Sequence, residues 1–450
     1  MKTNISKITL VGILMLMVFS GSVMAQYAPI QYYRTNDKNG VNVFEASKED
    51  TVKFQGFGVR VGGDFAMQFQ SLKHSNTADN LVELGSDFNL PTANLNLDVQ
   101  LHDGVRMHLR TYLSARHHNE AWIKGGFMQV DKLDFIKEGF LEGIMKHTTI
   151  TIGLDEFNYG DAHFRRSDNA RALYNPFVGN YIMDSFSTEA FGEVTVQHSG
   201  FLVVLGLSNG KLNQNVVTQQ ALTGPAPGFT PLEPADNKAS FYGKVGFDKQ
   251  LNEDLRVRLT GSWYMNNGVS TGTWLYGGDR AGSRYYNIMR TIADPSATPA
   301  TVNVFTDFDG RFNARFQKLT AIQVNPFLKF KGLEFFGIYE VASGKDVPNN
   351  DGSFTQIAGE LLYRFGATEQ FYLGGRYNTV SGKFSEAATV EQKIDRLNIG
   401  GGWFLTKNVL TKIEYVNQNY NDEPTAWTQA NARFNGGEFK GIMIEAVIAF

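Results

Sequence analysis

From residue 54 to residue 450 the chain returns to one pattern: about ten residues of alternating apolar and polar side chains, then a turn. Asn94-Leu95-Asn96-Leu97-Asp98-Val99-Gln100-Leu101-His102 is close to perfect period two, and Val105 to Thr111 repeats it after Asp103-Gly104. Alternation places one row of side chains on each face of a strand. The pattern predicts sixteen strands, near 54–69, 93–102, 104–114, 120–131, 148–156, 188–198, 201–208, 239–248, 255–265, 316–330, 333–342, 354–365, 370–380, 393–405, 408–418 and 438–450. The connections after the even-numbered strands 2, 6, 8, 10, 12 and 14 are short, for example Ser199-Gly200 and Lys331-Gly332. Those after the odd-numbered strands are mostly long, the longest following strands 5, 7 and 9. An even strand count with short turns at one end and long loops at the other describes an all-β fold, a transmembrane antiparallel β-barrel with both termini on the periplasmic side.

Two connections depart from that asymmetry. Arg116 to Asn119 is short for an outer loop, and Lys132 to His147 is long for a periplasmic turn, with a helical turn expected around Phe135 to Leu141. Fourteen and eighteen strands therefore stay open beside sixteen. An exported β-sandwich also alternates, but its strands average about five or six residues and its turns come at shorter, more even intervals.

Both chain ends sharpen the picture. Lys2 and Lys7 precede the apolar run Ile8 to Phe19, and Ser20-Gly21-Ser22-Val23-Met24-Ala25 supplies small residues for a cut after Ala25. This is the layout of a secretory signal peptide, residues 1–25, which directs export; with the barrel pattern, the expected location is the bacterial outer membrane. Residues 26–53, with Pro29, Tyr32-Tyr33-Arg34 and Ser47-Lys48-Glu49-Asp50, show little alternation. They read as an N-terminal periplasmic segment, with a disordered leader favoured over a partial plug or docking strand; the barrel occupies 54–450. The last strand alternates Ile442, Ile444, Ala446, Ile448 and Phe450 against Met443, Glu445, Val447 and Ala449. Its terminal Phe450 resembles the insertion signal of outer-membrane barrels. Aromatic pairs at Trp263-Tyr264, Phe335-Phe336 and Trp403-Phe404 suit interfacial girdles.

Composition adds exclusions. The 450 residues contain no Cys, which removes disulfides, thiolate metal sites and a Cys nucleophile. The formal charge of −3 argues against a nucleic-acid partner, which needs a basic surface. Hydrophobic residues make up only 42%, yet 13% are aromatic, and no mature segment approaches the ~20 apolar residues of a membrane helix.

A barrel of about sixteen strands has a lumen too wide for wall side chains to fill. Alternation points Arg106, His108, Arg110, Arg256, Arg258 and Arg376 into it, against Asp98, Glu360, Glu414 and Glu445 on other strands. Two basic ladders in a mixed wall suggest an anion preference, and the opposite reading is that these charges pair with one another. The third outer loop, Asn158 to Phe177, carries His163, Arg165, Arg166 and Arg171 among four aromatics, too apolar for a tip in water. It is expected to fold inward as a pore constriction, where guanidiniums bind carboxylate or phosphate in bidentate fashion. Asp161, Asp168 and Asp184 beside them offer the competing reading of a structural Arg–Asp latch.

The strand order, the inward-reading third loop and the closing hairpin Asn408-Val409-Leu410-Thr411-Lys412-Ile413-Glu414-Tyr415-Val416 resemble the phosphate-selective porin O and P family and related porin-like outer-membrane proteins. The resemblance implies a sixteen-strand, often trimeric channel whose third loop narrows the pore. The chain departs from phosphate-specific members in lacking their run of arginines and lysines, so a general porin is the stronger expectation.

No GxSxG elbow, HExxH helix, P-loop or zinc pattern occurs. His117-His118 reads as an exposed loop pair, and Thr306 to Gly310 and Asn349 to Gly352 lack the later Glu of a calcium loop. The expectation is a porin, not an enzyme, with no cofactor and no metal. Its partners would be outer-membrane lipid and lipopolysaccharide, small hydrophilic solutes or anions, and further copies in a homotrimer. The alternative is a structural subunit of a larger outer-membrane complex with its lumen plugged by loops, and a barrel lipase or protease comes third.

Overall fold

The structure is a computed structural model and describes residues 29–49, 52–89, 91–114, 120–211, 219–221, 232–234, 238–268, 275–277, 284–291, 308–345, 350–421, 426, 427 and 429–450. The signal peptide, residues 116–119 and His117-His118 lie outside them. Sixteen strands form the wall: β1 Gly58–Ser75, β2 Thr92–His102, β3 Val105–Ser114, β4 Glu120–Val130, β5 Thr148–Glu156, β6 Thr188–His198, β7 Phe201–Ser208, β8 Ser240–Gln250, β9 Leu255–Asn266, β10 Lys318–Phe330, β11 Leu333–Lys345, β12 Asp351–Phe365, β13 Phe371–Lys383, β14 Gln392–Thr406, β15 Val409–Tyr420 and β16 Glu438–Ala449. Each pairs antiparallel with its neighbours in sequence. β1 closes the ring by pairing with β2 over Gly58–Ala66 and with β16 over Asp64–Ser75. Closure leaves no unpaired edge, the condition for strands to cross lipid.

The expected strands are all present, and the expected alternation sets the two faces. Leu205 and Leu373 point outward, 57% and 61% exposed, while Gln323, Asn325, Gln356 and Glu445 point inward and are buried. An apolar outer wall against a polar inner one is the arrangement of a membrane-spanning barrel. The turns explain themselves locally. Ser199 and Gly200 both take positive φ, +52° and +89°, as a two-residue hairpin turn matched to strand twist requires. At the same end of the barrel, Phe365, Phe371 and Trp403 stack at 5.5 and 5.7 Å between ring centres, an aromatic rim.

Two expectations shift. The helical turn in the β4–β5 connection is centred later, at Glu142–Met145, because Leu141 turns the chain at φ +52° before the helix begins. Residues 29–49, favoured as a disordered leader, instead pack inside the barrel. The sequence does not show this, because their contacts are made with distant strands and leave no periodicity in the segment itself.

Candidate functional site

β5 stops at Glu156, level with the upper part of β3, since Leu154 lies beside Gly126 and Gly126 beside Leu109. The chain thus leaves the wall within the barrel, and residues 157–187 turn into the lumen. A buried irregular segment needs partners for its backbone. The inward side chains of β10 to β15 provide them. Asn325 accepts from Asp161 N at 2.8 Å, Gln356 from Met183 N at 2.9 Å, Asn378 from Ile182 N at 2.7 Å and Glu414 from Val178 N at 2.8 Å. Carbonyls are met by cations: Lys412 Nζ donates to Ala172, Asn175 and Phe177 at 3.0 to 3.1 Å, and Arg376 and Arg396 donate to Gly179 and Asn180 at 2.8 and 2.5 Å. Gly160 allows the closest approach; it sits at φ +66°, and a Cβ there would fall 2.0 Å from the Gln323 side chain. The fifth outer loop packs on the third, with Phe312 N donating to Ile182 O at 2.6 Å, and on the wall, with Tyr285 donating to Glu414 of β15 at 2.7 Å.

From the periplasmic end, residues 29–49 form a strap around the mouth. Gln31 donates to Asp103 at 2.9 Å, Asn36 to Asp64 at 2.9 Å, Lys38 N to Lys407 O at 2.8 Å and Asn42 to Glu334 at 2.6 Å. Glu45 pairs with Arg258 at 2.7 Å and Lys48 with Asp131 at 2.8 Å, completing the circuit.

Four charges meet where strap, loop and wall converge. Arg258 grips Asp161 through two nitrogens at 2.8 Å, Lys244 reaches Asp161 at 2.8 Å, and Glu45 joins both cations. Burial alone would raise both carboxyls. The Arg258 and Lys244 charges outweigh it, holding Glu45 at about 2 and Asp161 well below the usual carboxylate range. Burial, reinforced by Lys244, pushes the His163 imidazole down to about 3, so it stays neutral, its Nε2 3.1 Å from the Asn158 side-chain oxygen. Across the lumen, Arg165 pairs with Glu334 at 2.7 Å and with Glu360, while Arg364 and Arg376 take the same two carboxylates at 2.7 and 2.8 Å.

Space survives along the opposite wall. A cavity of about 170 Å³ lies beside Glu45, Arg106, His163, Arg171 and Glu193. A second, of about 120 Å³, adjoins it and shares Arg34, Arg106, Phe127, Glu156 and Arg171. The second faces four guanidiniums, of Arg34, Arg106, Arg110 and Arg171, against the carboxylates of Asp98 and Glu156. Arg34 stacks 3.8 Å over the Tyr174 ring, and burial draws its guanidinium down to about 10. A third cavity of about 580 Å³ opens toward the periplasm beside Glu45, Asp248, Arg256 and Arg258.

The residues singled out by sequence thus separate. His163, Arg171, Arg106, His108 and Arg110 border the inner cavities; Arg256 and Arg258 border the periplasmic one. Arg165 is locked to Glu334 and Glu360, Arg166 forks onto Asp184 at 2.9 and 2.7 Å, and Arg376 is pinned against Glu360. Phe450 closes the ring, its N and O hydrogen-bonded to Gly63 at 3.1 Å. Arg34, Glu45, Glu156 and Glu334 were not foreseen. The Tyr32-Tyr33-Arg34 cluster, too aromatic for a solvated leader, was the available signal for the first. Among the described residues no three His, Asp or Glu side chains converge in a way that could hold a metal ion.

Among solved structures, the chain is similar to an anion-selective porin from Comamonas acidovorans, with a TM-score of 0.50 and 10% identity over 88% of this chain and 100% of that one. The fold is that of an outer-membrane porin barrel. Structures of the outer-membrane protein OmpT of Vibrio cholerae, in its trimer form, and of the outer-membrane channel DcaP of Acinetobacter baumannii match with TM-scores of 0.49 at 11% and 10% identity. They cover 88% and 89% of this chain and 100% and 99% of theirs. No protein-family model matches the chain, and no curated protein matches it.

Proposed function

We propose that the chain is an outer-membrane channel for passive diffusion of small hydrophilic solutes, favouring anions, with passage along the wall from β2 to β6. The observation that carries this reading is the adjoining cavities at Arg34, Arg106 and Arg171, the second with four guanidiniums against two carboxylates. Fixed cations beside a watery path lower the entry cost of an anion and raise that of a cation. The porin-like barrel supports the reading, as does the resemblance to the phosphate-selective porin O and P family. The Glu156, Glu193 and Asp98 carboxylates favour a general anion path over a phosphate-specific ladder. Export through a cleaved signal peptide, contact with lipopolysaccharide and a homotrimeric state belong to the same reading, which assigns the barrel no catalysis.

One observation favours a second reading, a structural subunit with a plugged lumen. The third loop is buried over almost all its length, and the strap crosses the mouth beneath it. Planar-bilayer recording across a salt gradient separates the two. Stepwise currents with an anion-side reversal potential that falls in Arg106→Ala and Arg171→Ala variants are the result expected for the channel. A silent wild type that conducts once residues 29–49 are deleted would favour the plugged subunit. Silence in both would overturn passive conduction.

A further inference from the structure

The β4–β5 connection, residues 131–147, is long for the end of the barrel where other connections are tight turns, and the permeation path makes no use of most of it. It is folded rather than loose. Asp134 accepts from Gly139 N at 3.0 Å, Glu142–Met145 is helical, and Thr148 Oγ1 donates to Ile144 O at 2.9 Å. Leu141 is held at φ +52°, a backbone conformation that a bulky side chain seldom takes without surrounding constraint.

Alternation fixes the side of the wall on which this foot lies. Arg106 donates to Gln129 at 2.6 Å inside the barrel, and Thr149 and Thr151 face the first cavity. Val105, Val130 and Ile150 stand one position away on the same strands and are cross-strand neighbours, so they form one outward-facing row. Leu133 and Met145 pack on that row. Leu133 and Met145 are therefore folded against the outside of the barrel, and the apolar row they cover continues into the exposed Met128 and Ile152 of the outer wall. The other side of the foot, with Asp134, Glu138 and Glu142, borders a cavity of about 490 Å³ that it shares with Tyr32 and Lys48 of the strap. The free side of the foot is apolar too. Ile136 and Ile144 are 58% and 59% exposed, with Phe135 and Leu141 close behind, while Lys137, Glu138 and Glu142 are exposed between them. Phe135 meets the His102 ring edge-on at 6.4 Å, and His102 stacks on Phe54 at 5.9 Å, extending an aromatic rim at the strand ends.

We propose that the 131–147 foot is a membrane-interface anchor, its Phe135, Ile136, Leu141 and Ile144 side chains seated in the periplasmic leaflet of phospholipid. A bilayer interface is the occupant that fits, because the foot rests on a wall already facing lipid and carries charged side chains among its apolar ones, the composition of an interfacial segment. The proposal rests on the barrel crossing the membrane and is independent of whether the barrel conducts.

The chain has no Cys, so single cysteines can be introduced cleanly. Nitroxide labels at Ile136, Leu141 and Ile144 would be compared in phospholipid liposomes with labels at Leu205, on the outer wall, and Asn252, in the exposed β8–β9 turn. Collision with oxygen exceeding collision with a water-soluble nickel chelate, as at Leu205, is the expected result. Chelate-dominated collision like that at Asn252 would overturn the proposal. Exclusion of both reagents would overturn it in another way, because the face would then be covered by protein. Heat-modifiable migration in SDS confirms that each labelled chain is folded before its result counts.

Discussion

The two sides of the lumen use the same residue types to opposite ends. Toward β10 to β16, cations are tied to loop carbonyls or to carboxylates: Lys412 holds three carbonyl oxygens, Arg376 holds Gly179 and Glu360, and Arg165 spans Glu334 and Glu360. Toward β2 to β6, Arg106 and Arg171 lie beside open space that they share with Arg34 from the strap. The difference teaches that a polar lumen is not one environment. One wall fastens the third loop by giving its backbone the partners that water would otherwise supply. The other, reached by the loop less fully, keeps open space beside its arginines.

If the fastened side works as described, breaking one of its ion pairs should have the largest effect. Glu334→Ala removes the partner of both Arg165 and Arg364, each 2.7 Å away, and leaves two buried guanidiniums short of a counter-charge. Removing one partner of a buried ion pair costs about 3–5 kcal/mol. The temperature at which the heat-modifiable band disappears should fall markedly, and an unchanged midpoint would deny the fastening role.

Acid should act next, at the junction of strap and loop. His163 is neutral with a folded value of about 3 against an ordinary 6.5, and Glu45 is ionised with about 2 against 4.5. In both, the folded state binds fewer protons than the unfolded one, so their stabilisation is full above the ordinary value and is lost as pH falls toward the folded one. Unfolding midpoints should therefore decline from pH 6.5 downward. His163→Asn should flatten the upper part of that decline and Glu45→Gln the part below 4.5.

These two predictions also mark what the sequence could and could not tell. The sixteen strands were legible because the signal is local: inside and outside alternate residue by residue, and Gly200 or Gly332 punctuates the turns. The inward direction of Arg106, Arg258 and Arg376 followed from the same alternation. Their partners did not. Arg165 meets Glu334 across 169 positions of sequence and Glu45 meets Lys244 across 199, and no periodicity encodes such pairings. The strap was missed for the same reason, since its residues alternate with nothing and are ordered only by the wall around them.

The open side should answer more mildly to the same kind of substitution. Arg171 and Glu156 pair at 3.0 Å with side chains 15% and 18% exposed, so water replaces much of what Arg171→Ala removes. The cost should be about 1.5–3 kcal/mol, below that of Glu334→Ala because Arg110 still acts on Glu156, while the bilayer reversal potential moves toward the cation side because one guanidinium is lost from the cavity. A stability loss as large as that of Glu334→Ala would erase the contrast between the walls.

The smallest effect is expected at the periplasmic cavity, where the contrast is sharpest in energetic terms. Asp248 bridges Arg256 at 2.7 Å and lies 3.1 Å from Arg258. Arg256 and Asp248 are partly solvated, and Arg258 keeps its two-nitrogen grip on Asp161 when Asp248 is neutralised. Asp248→Asn should therefore change stability by no more than about 0.5–1 kcal/mol, as for other solvated pairs. It nevertheless deletes one negative charge from the mouth of the path. Anion preference should rise slightly at low salt and the increment should vanish at high salt, because a partly solvated charge is screened there. An increment that persisted at high salt would mean that Asp248 acts on solute at contact distance, and the mouth would then belong with the narrow part of the path rather than with its vestibule.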